Sequence, residues 1–224
     1  MATYITALTG ASGAVYGIRL IRELLARGDD VELLISPSGF LLLEEELGLC
    51  LEQVPAGFKL GKGGHRPRPE PKIEKAVRAY LERAYGAKTK LKGSLRFTPS
   101  DDMTSRLASG GCLPEVRAMI VCPCSMGTLA RISAGISASL IERAADCMLK
   151  ERRALVLVPR ETPLSSIHLE NMLRLSRAGA VILPAMPAFY THPKTTGDMA
   201  AFIAGKILDS LNIENNLYKR WKKR

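Results

Sequence analysis

Apolar residues along the 224-residue chain fall into short unbroken runs that alternate with longer stretches of helical period. Tyr4–Leu8 is a β-rich apolar run, followed directly by Thr9-Gly10-Ala11-Ser12-Gly13. Ile18, Ile21, Leu24 and Leu25 then recur at helical spacing as far as Arg27, and Gly28 closes that helix. A second strand, Val31–Ile35, follows at once, so this stretch reads as one βαβ unit with a right-handed crossover. Further buried-strand runs are Met119–Val121, Ala154–Val158 and Ala180–Leu183, and Leu140–Lys150, Ser165–Arg177 and Asp198–Leu211 carry helical patterns. Near-continuous apolar strands alternating with helices predict an α/β fold, a parallel sheet covered on both faces. Ligands of such sheets sit outside the carboxyl ends of the strands. That points to residues 9–13, 36–46, 122–128 and 159–163.

One stretch breaks the pattern. Residues 55–71 carry four Pro and four Gly and are expected to be irregular, and Lys72–Tyr85 reads as a surface helix after them. The expectation is a single domain over 1–224, with a peripheral basic insertion at about 55–95 and a basic tail at 212–224. The +10 charge is confined to these parts. Residues 59–92 hold eleven Lys/Arg against three Glu, Lys219–Arg224 adds five cations, and the remaining chain is left at −3. A slightly acidic body lacks the basic surface of a nucleic-acid-binding fold. No apolar run reaches the ~18 residues of a membrane span, and the start MATYITALTG lacks a secretory pattern. Five cysteines without zinc-type spacing fit a reduced, cytoplasmic setting and no metal.

The loops carry the chemistry. Gly10 and Gly13 permit a tight turn and close ligand approach, Ser12 adds a hydroxyl, and the next helix points its amides outward, an arrangement suited to a phosphate. The glycines at 10, 13 and 17 do not form the dinucleotide-binding G-x-G-x-x-G. Tyr190 and Lys194 have the Tyr-x-x-x-Lys spacing of short-chain dehydrogenases, but Pro193 opposes the helix that this pair needs. The second loop, Cys122-Pro-Cys-Ser-Met-Gly-Thr128, offers Ser125 and Thr128 hydroxyls at another helix start, its two thiols reading as small buried hydrophobes. Arg160-Glu161 sets a cation beside a carboxylate directly after a buried strand.

Several of these motifs together resemble the UbiX-type flavin prenyltransferases. They are Thr9-Gly-Ala-Ser-Gly-Ala-Val-Tyr-Gly17, Cys122-Pro-Cys-Ser125, Glu142-Arg-Ala-Ala-Asp146, Leu149-Lys-Glu-Arg-Arg153 and the long stretch Leu155–Tyr190. The resemblance implies a Rossmann-like, three-layer αβα flavoprotein. Its activity would be to join the dimethylallyl group of dimethylallyl phosphate or diphosphate to N5 and C6 of reduced FMN, without a metal. The product would be prenylated FMN for UbiD-type decarboxylases. Homo-oligomers, commonly dodecamers with active sites at subunit interfaces, are also implied. Carried over by position, Gly10, Ala11, Ser12, Ser36, Ser125, Met126, Gly127, Thr128 and Arg160 would hold FMN. Lys150, Arg160, Tyr190 and Lys206 would hold the prenyl phosphate, close to Ser12, with Trp221 as an aromatic cover. Glu46 and Glu161 correspond to the acidic residues of proton transfer.

Those residue types suit the reaction on chemical grounds. A departing phosphate requires cations and fixed donors, an allylic cation is met by π surfaces, and ring closure requires a positioned carboxylate. His168, between Ile167 and Leu169, reads as structural. The Pro184-Ala-Met-Pro187 segment, with no His before His65, argues against a cysteine decarboxylase. The alternative reading is an FMN-binding carrier for a decarboxylase, without catalysis.

Overall fold

The computed structural model describes residues 1–51, 72–86, 90–113 and 115–221. The irregular stretch expected over 55–71, and the cations at 222–224, lie outside the described residues. Six parallel strands form one sheet in the order β3-β2-β1-β4-β5-β6. They are β1 (Thr3–Leu8), β2 (Asp30–Ile35), β3 (Leu95–Pro99), β4 (Val116–Cys124), β5 (Ala154–Pro159) and β6 (Val181–Ile182). The helices are α1 (Ala14–Arg27), α2 (Pro37–Leu47), α3 (Lys72–Tyr85), α4 (Met126–Ser133), α5 (Leu140–Lys150), α6 (Ser166–Arg177) and α7 (Thr196–Ser210). This strand order reverses direction between β1 and β4, the switch point at which doubly wound sheets bind ligands.

Both sheet faces are covered, which is why the strands are apolar at successive positions. In β5, Val156 and Val158 belong to the core on the face covered by α1, α2, α3 and α7, while Leu155 and Leu157 belong to that on the face covered by α4, α5 and α6. On α1 the predicted stripe is buried at Ile18, Ile21, Leu24 and Leu25. Each such side chain contributes roughly 1.5–3 kcal/mol on removal from water. Gly28 ends the helix at φ 90°, its amide reaching the Leu24 and Leu25 carbonyls, a conformation that a Cβ disfavours.

One expectation needs correction. The helix at Lys72–Tyr85 is not confined to the surface, because Ile73, Val77 and Leu81 are buried in the core beside β3. Their spacing of four is a helical stripe, outweighed in composition by the charges around it. The edge strand β3 went unread because its outward positions, Arg96 and Thr98, interrupt the apolar run. Residues 36–46, expected at the ligand-binding edge, are helical from Pro37 onward, capped by the Ser36 hydroxyl, which accepts from the Gly39 amide at 3.1 Å.

One helix is conspicuously bare. Leu175 is the only buried residue of α6, while Ile167, Leu169 and Leu173 are 65%, 53% and 51% exposed. Exposed Met186 and Phe189 follow β6. Exposed apolar side chains gathered on one helix and the chain beside it mark an association surface.

Candidate functional site

The carboxyl ends of β1, β2 and β4 each open into a helix start, so three helix N-termini converge at one edge of the sheet. Two of the three turns are tied together through Thr9. Its buried hydroxyl donates to the Pro123 carbonyl at 2.9 Å and accepts from the Ser125 amide at 2.8 Å. Ser125 then caps α4, its hydroxyl accepting from the Thr128 amide at 3.3 Å and donating to the Thr128 hydroxyl at 3.0 Å. The β1 and β2 turns meet at Gly10, where a Cβ would lie 2.5 Å from Ser38 Cβ. Gly10, Ser12, Ser38 and Gly127 remain exposed at the mouth.

Glu46 belongs to this edge. From the far end of α2 its carboxylate accepts the Gly13 amide at 2.9 and 3.0 Å and the Ala14 amide at 2.8 Å. It thus caps α1, favourably placed at a positive helix terminus. Gly13 there has φ 106° and no cap of its own. Tyr16, one turn into α1, has its phenol pushed upward by burial, with Cys122 adding to the effect. From β5, Arg160 Nε donates to the Ser12 carbonyl at 3.0 Å, fastening the fourth loop to the glycine turn. Glu161 is exposed, and its Oε1 accepts the Thr162 amide at 3.1 Å.

The aromatic members approach from the chain after β6. The Ala185 amide donates to the Pro159 carbonyl at 3.0 Å, so this segment starts beside the carboxyl end of β5. Tyr190 stands five residues further on, its ring edge-on to Trp221 with centroids 5.1 Å apart. Lys206 is exposed on α7, one residue past Gly205. His192 at φ 53° interrupts the turn between Tyr190 and Lys194, so those two do not share a helix. His168 acts as a cap, its Nδ1 accepting from the Ser165 amide at 3.3 Å.

Lys150 is not brought to this edge. It ends α5 and therefore lies at the amino end of β5, whereas Arg160 lies past the carboxyl end. The six residues of β5 separate the two by roughly 20 Å. There Lys150 pairs with Glu151, which raises its pKa through their hydrogen bond. Cys122 and Cys124 are fully buried beneath the site, and burial pushes the Cys124 thiol up to about 12. Both behave as small hydrophobes.

Thr9 was not among the residues read as functional. Its one visible signal was position, a hydroxyl at the last point of a strand before a glycine turn. Thr9→Val is expected to leave the Ser125 amide and the Pro123 carbonyl without this partner, lowering stability by about 2 kcal/mol. Thr9→Ser should recover most of it. Urea unfolding at fixed protein concentration checks both.

Gly10, Ser12 and Gly127, exposed at the mouth, stand with the partly buried Ser36, Ser125 and Arg160 and the buried Thr128, a set of hydroxyls, glycine backbone and a cation that suits a flavin nucleotide with its phosphate. Comparison with known proteins bears on the family and the fold. Residues 2–211 match the Flavoprotein family. A flavin prenyltransferase UbiX from Halalkalibacterium halodurans is 44% identical, over 97% of this chain and 92% of that protein. The crystal structure of AnUbiX in complex with FMN and dimethylallyl pyrophosphate superposes with a TM-score of 0.77 at 34% identity, covering 100% and 98% of the two chains. A dodecameric FMN-dependent Ubix-like decarboxylase from Escherichia coli gives 0.75 at 34% identity, covering 99% and 100%. With near full-length likeness in sequence and in fold, the chain belongs to the UbiX-type flavin prenyltransferases of the flavoprotein family.

Proposed function

We infer that the chain transfers the dimethylallyl group of dimethylallyl phosphate or diphosphate to reduced FMN, supplying prenylated FMN to UbiD-type decarboxylases. The observation that carries this reading is the Arg160 bridge to the Ser12 carbonyl. It fastens to the glycine turn, at the switch point, the loop that carries this cation and its neighbour in sequence, the Glu161 carboxylate. Reduced FMN, when bound, supplies the electron-rich ring positions that accept the prenyl group.

The rest is the work of the protein's own side chains. Gly10–Ser12, Ser36 and Ser125–Thr128 hold the flavin through amides and hydroxyls, aided by Arg160. Arg160, Lys206 and the Tyr190 hydroxyl hold the donor phosphate, and their fixed charges and dipoles stabilise it as it departs. The Tyr190 and Trp221 rings face the developing allylic cation. The exposed Glu161 carboxylate keeps lone pairs free to accept a proton at Oε2. Glu46 orients the Gly13 and Ala14 amides and thereby the turn that carries Ser12.

Lys150 reaches the donor phosphate from a second copy of the chain, because its own β5 stands between it and the site. The exposed apolar side chains of α6, with Met186 and Phe189 beyond β6, support such self-association, with sites completed between subunits. No described helix is long and apolar enough to cross a membrane. Free thiols at Cys50, Cys122, Cys124 and Cys147 and a reduced acceptor support a cytoplasmic location.

Anaerobic incubation with reduced FMN and dimethylallyl phosphate, followed by mass spectrometry of the extracted flavin, tests the reading. A flavin heavier by one five-carbon unit is expected with this donor or the diphosphate. Unmodified FMN with both donors would overturn it and leave a carrier of FMN.

A further inference from the structure

The chain beyond α7 folds back along that helix and is held there by one carboxylate. Phe202, Gly205 and Asp209 stand three and four residues apart, a single stripe on the helix surface. The Tyr218 ring lies on this stripe, 4.8 Å from Phe202 between centroids. Gly205 makes room for it, since a Cβ there would lie 2.6 Å from Tyr218 Cδ1 and 3.0 Å from Asn215 Oδ1.

Asp209 gathers three tail side chains. Arg220 donates through Nη2 to Oδ1 at 2.7 Å and through Nη1 to Oδ2 at 2.9 Å, a bidentate fork. Asn215 Nδ2 donates to Oδ1 at 2.8 Å, and the Tyr218 hydroxyl donates to Oδ2. Burial works against ionisation of Asp209, but the bonds from Arg220, Tyr218 and Asn215 prevail and hold it below the usual carboxylate range. The Arg220 guanidinium also lies 5.1 Å from the centre of the Tyr218 ring. The residue after Arg220 is Trp221, edge-on to Tyr190, which in turn stands 6.3 Å from Phe202. Trp221 is 75% exposed, so core burial does not hold it in place.

We propose that Asp209 is a positioning residue. By clamping Arg220, Tyr218 and Asn215, it fixes the C-terminal segment so that Trp221 steadies the Tyr190 ring at the prenyl-donor end of the site. The inference rests on the reading that Tyr190 holds the donor phosphate, and it assigns the clamp no chemical step.

Trp221 is the chain's only tryptophan, so biosynthetic fluorotryptophan gives one fluorine NMR line that reports the tail alone. The experiment uses the full-length, FMN-loaded protein. In Asp209→Asn the line should narrow as the tail loosens, and KM for dimethylallyl phosphate should rise roughly tenfold, with kcat and FMN affinity near wild type. Gly205→Ala should produce the same two changes without altering any charge, by pushing the Tyr218 ring off α7. Arg220→Lys should show part of the same two changes, because an ammonium keeps the charge but cannot span both carboxylate oxygens.

An unchanged fluorine line in both Asp209→Asn and Gly205→Ala would refute the clamp. A narrowed line with unchanged donor KM would refute the positioning role. Loss of FMN affinity in parallel would also overturn it, by showing a general structural defect. Tyr190→Ala separates the premise from the inference. If its donor KM stays at wild type, the reading of Tyr190 falls, and the positioning role with it, while the fluorine line still reports the clamp on its own.

Discussion

Glu161→Gln is expected to yield a folded protein that binds FMN and transfers the prenyl group at least about a hundredfold more slowly. The substitution keeps the size of the side chain and an oxygen that can still accept the Thr162 amide. It removes the capacity to take up a proton. The exposed carboxylate anchors no part of the core, so apparent stability should move by no more than about 0.5 kcal/mol. The check is a single-turnover assay at saturating donor, with FMN binding measured on the same preparation. Wild-type kcat in the variant would move the proton-transfer role away from Glu161, leaving Glu46 as the carboxylate at the same edge.

Gly17→Ala should have the largest effect on the fold. A Cβ at Gly17 would lie 2.2 Å from the Cys122 carbonyl oxygen and 3.2 Å from both Cys122 C and Leu8 Cγ. The obstacle is strand backbone, which cannot rotate away as a side-chain tip can. Alanine is intrinsically better than glycine inside a helix by about 1 kcal/mol, so any loss must come from this collision. We expect a destabilisation of about 3 kcal/mol or more, at the severe end of overpacking. The displaced α1 would carry the Gly13 and Ala14 amides out of register with Glu46, so FMN affinity should fall as well. Gly127→Ala is the control for stability, since its Cβ would meet only Arg131 Nη1 at 3.4 Å. Thermal unfolding of both variants at one protein concentration distinguishes collision from a generic glycine effect.

Local sequence determined much of the architecture. The stripe on α1, the Gly28 stop, the capping Ser139 with Glu142 on α5 and the apolar runs of β1, β2 and β5 all rest on interactions within a few residues. Period and capping are therefore sufficient to read them. The same holds for the position of the site, because strand-to-helix turns at a switch point follow from element order. The long motifs likewise identified the family before any geometry was known.

Tertiary structure decided how those loops combine. Glu46 meets the start of α1 across 33 positions, and Thr9 meets Ser125 across 116, contacts that no window of sequence contains. The burial of α3 depended on an edge strand whose polar outer face hid it from an apolar-run reading. Lys150 and Arg160 are close in sequence yet lie at opposite ends of β5, because an extended strand converts a few residues into a long distance. The C-terminal segment reads as a basic tail, and its charge is real. Only the fold showed Arg220 of that tail held by Asp209, because an ion pair is set by which surfaces chain reversal brings together, not by composition.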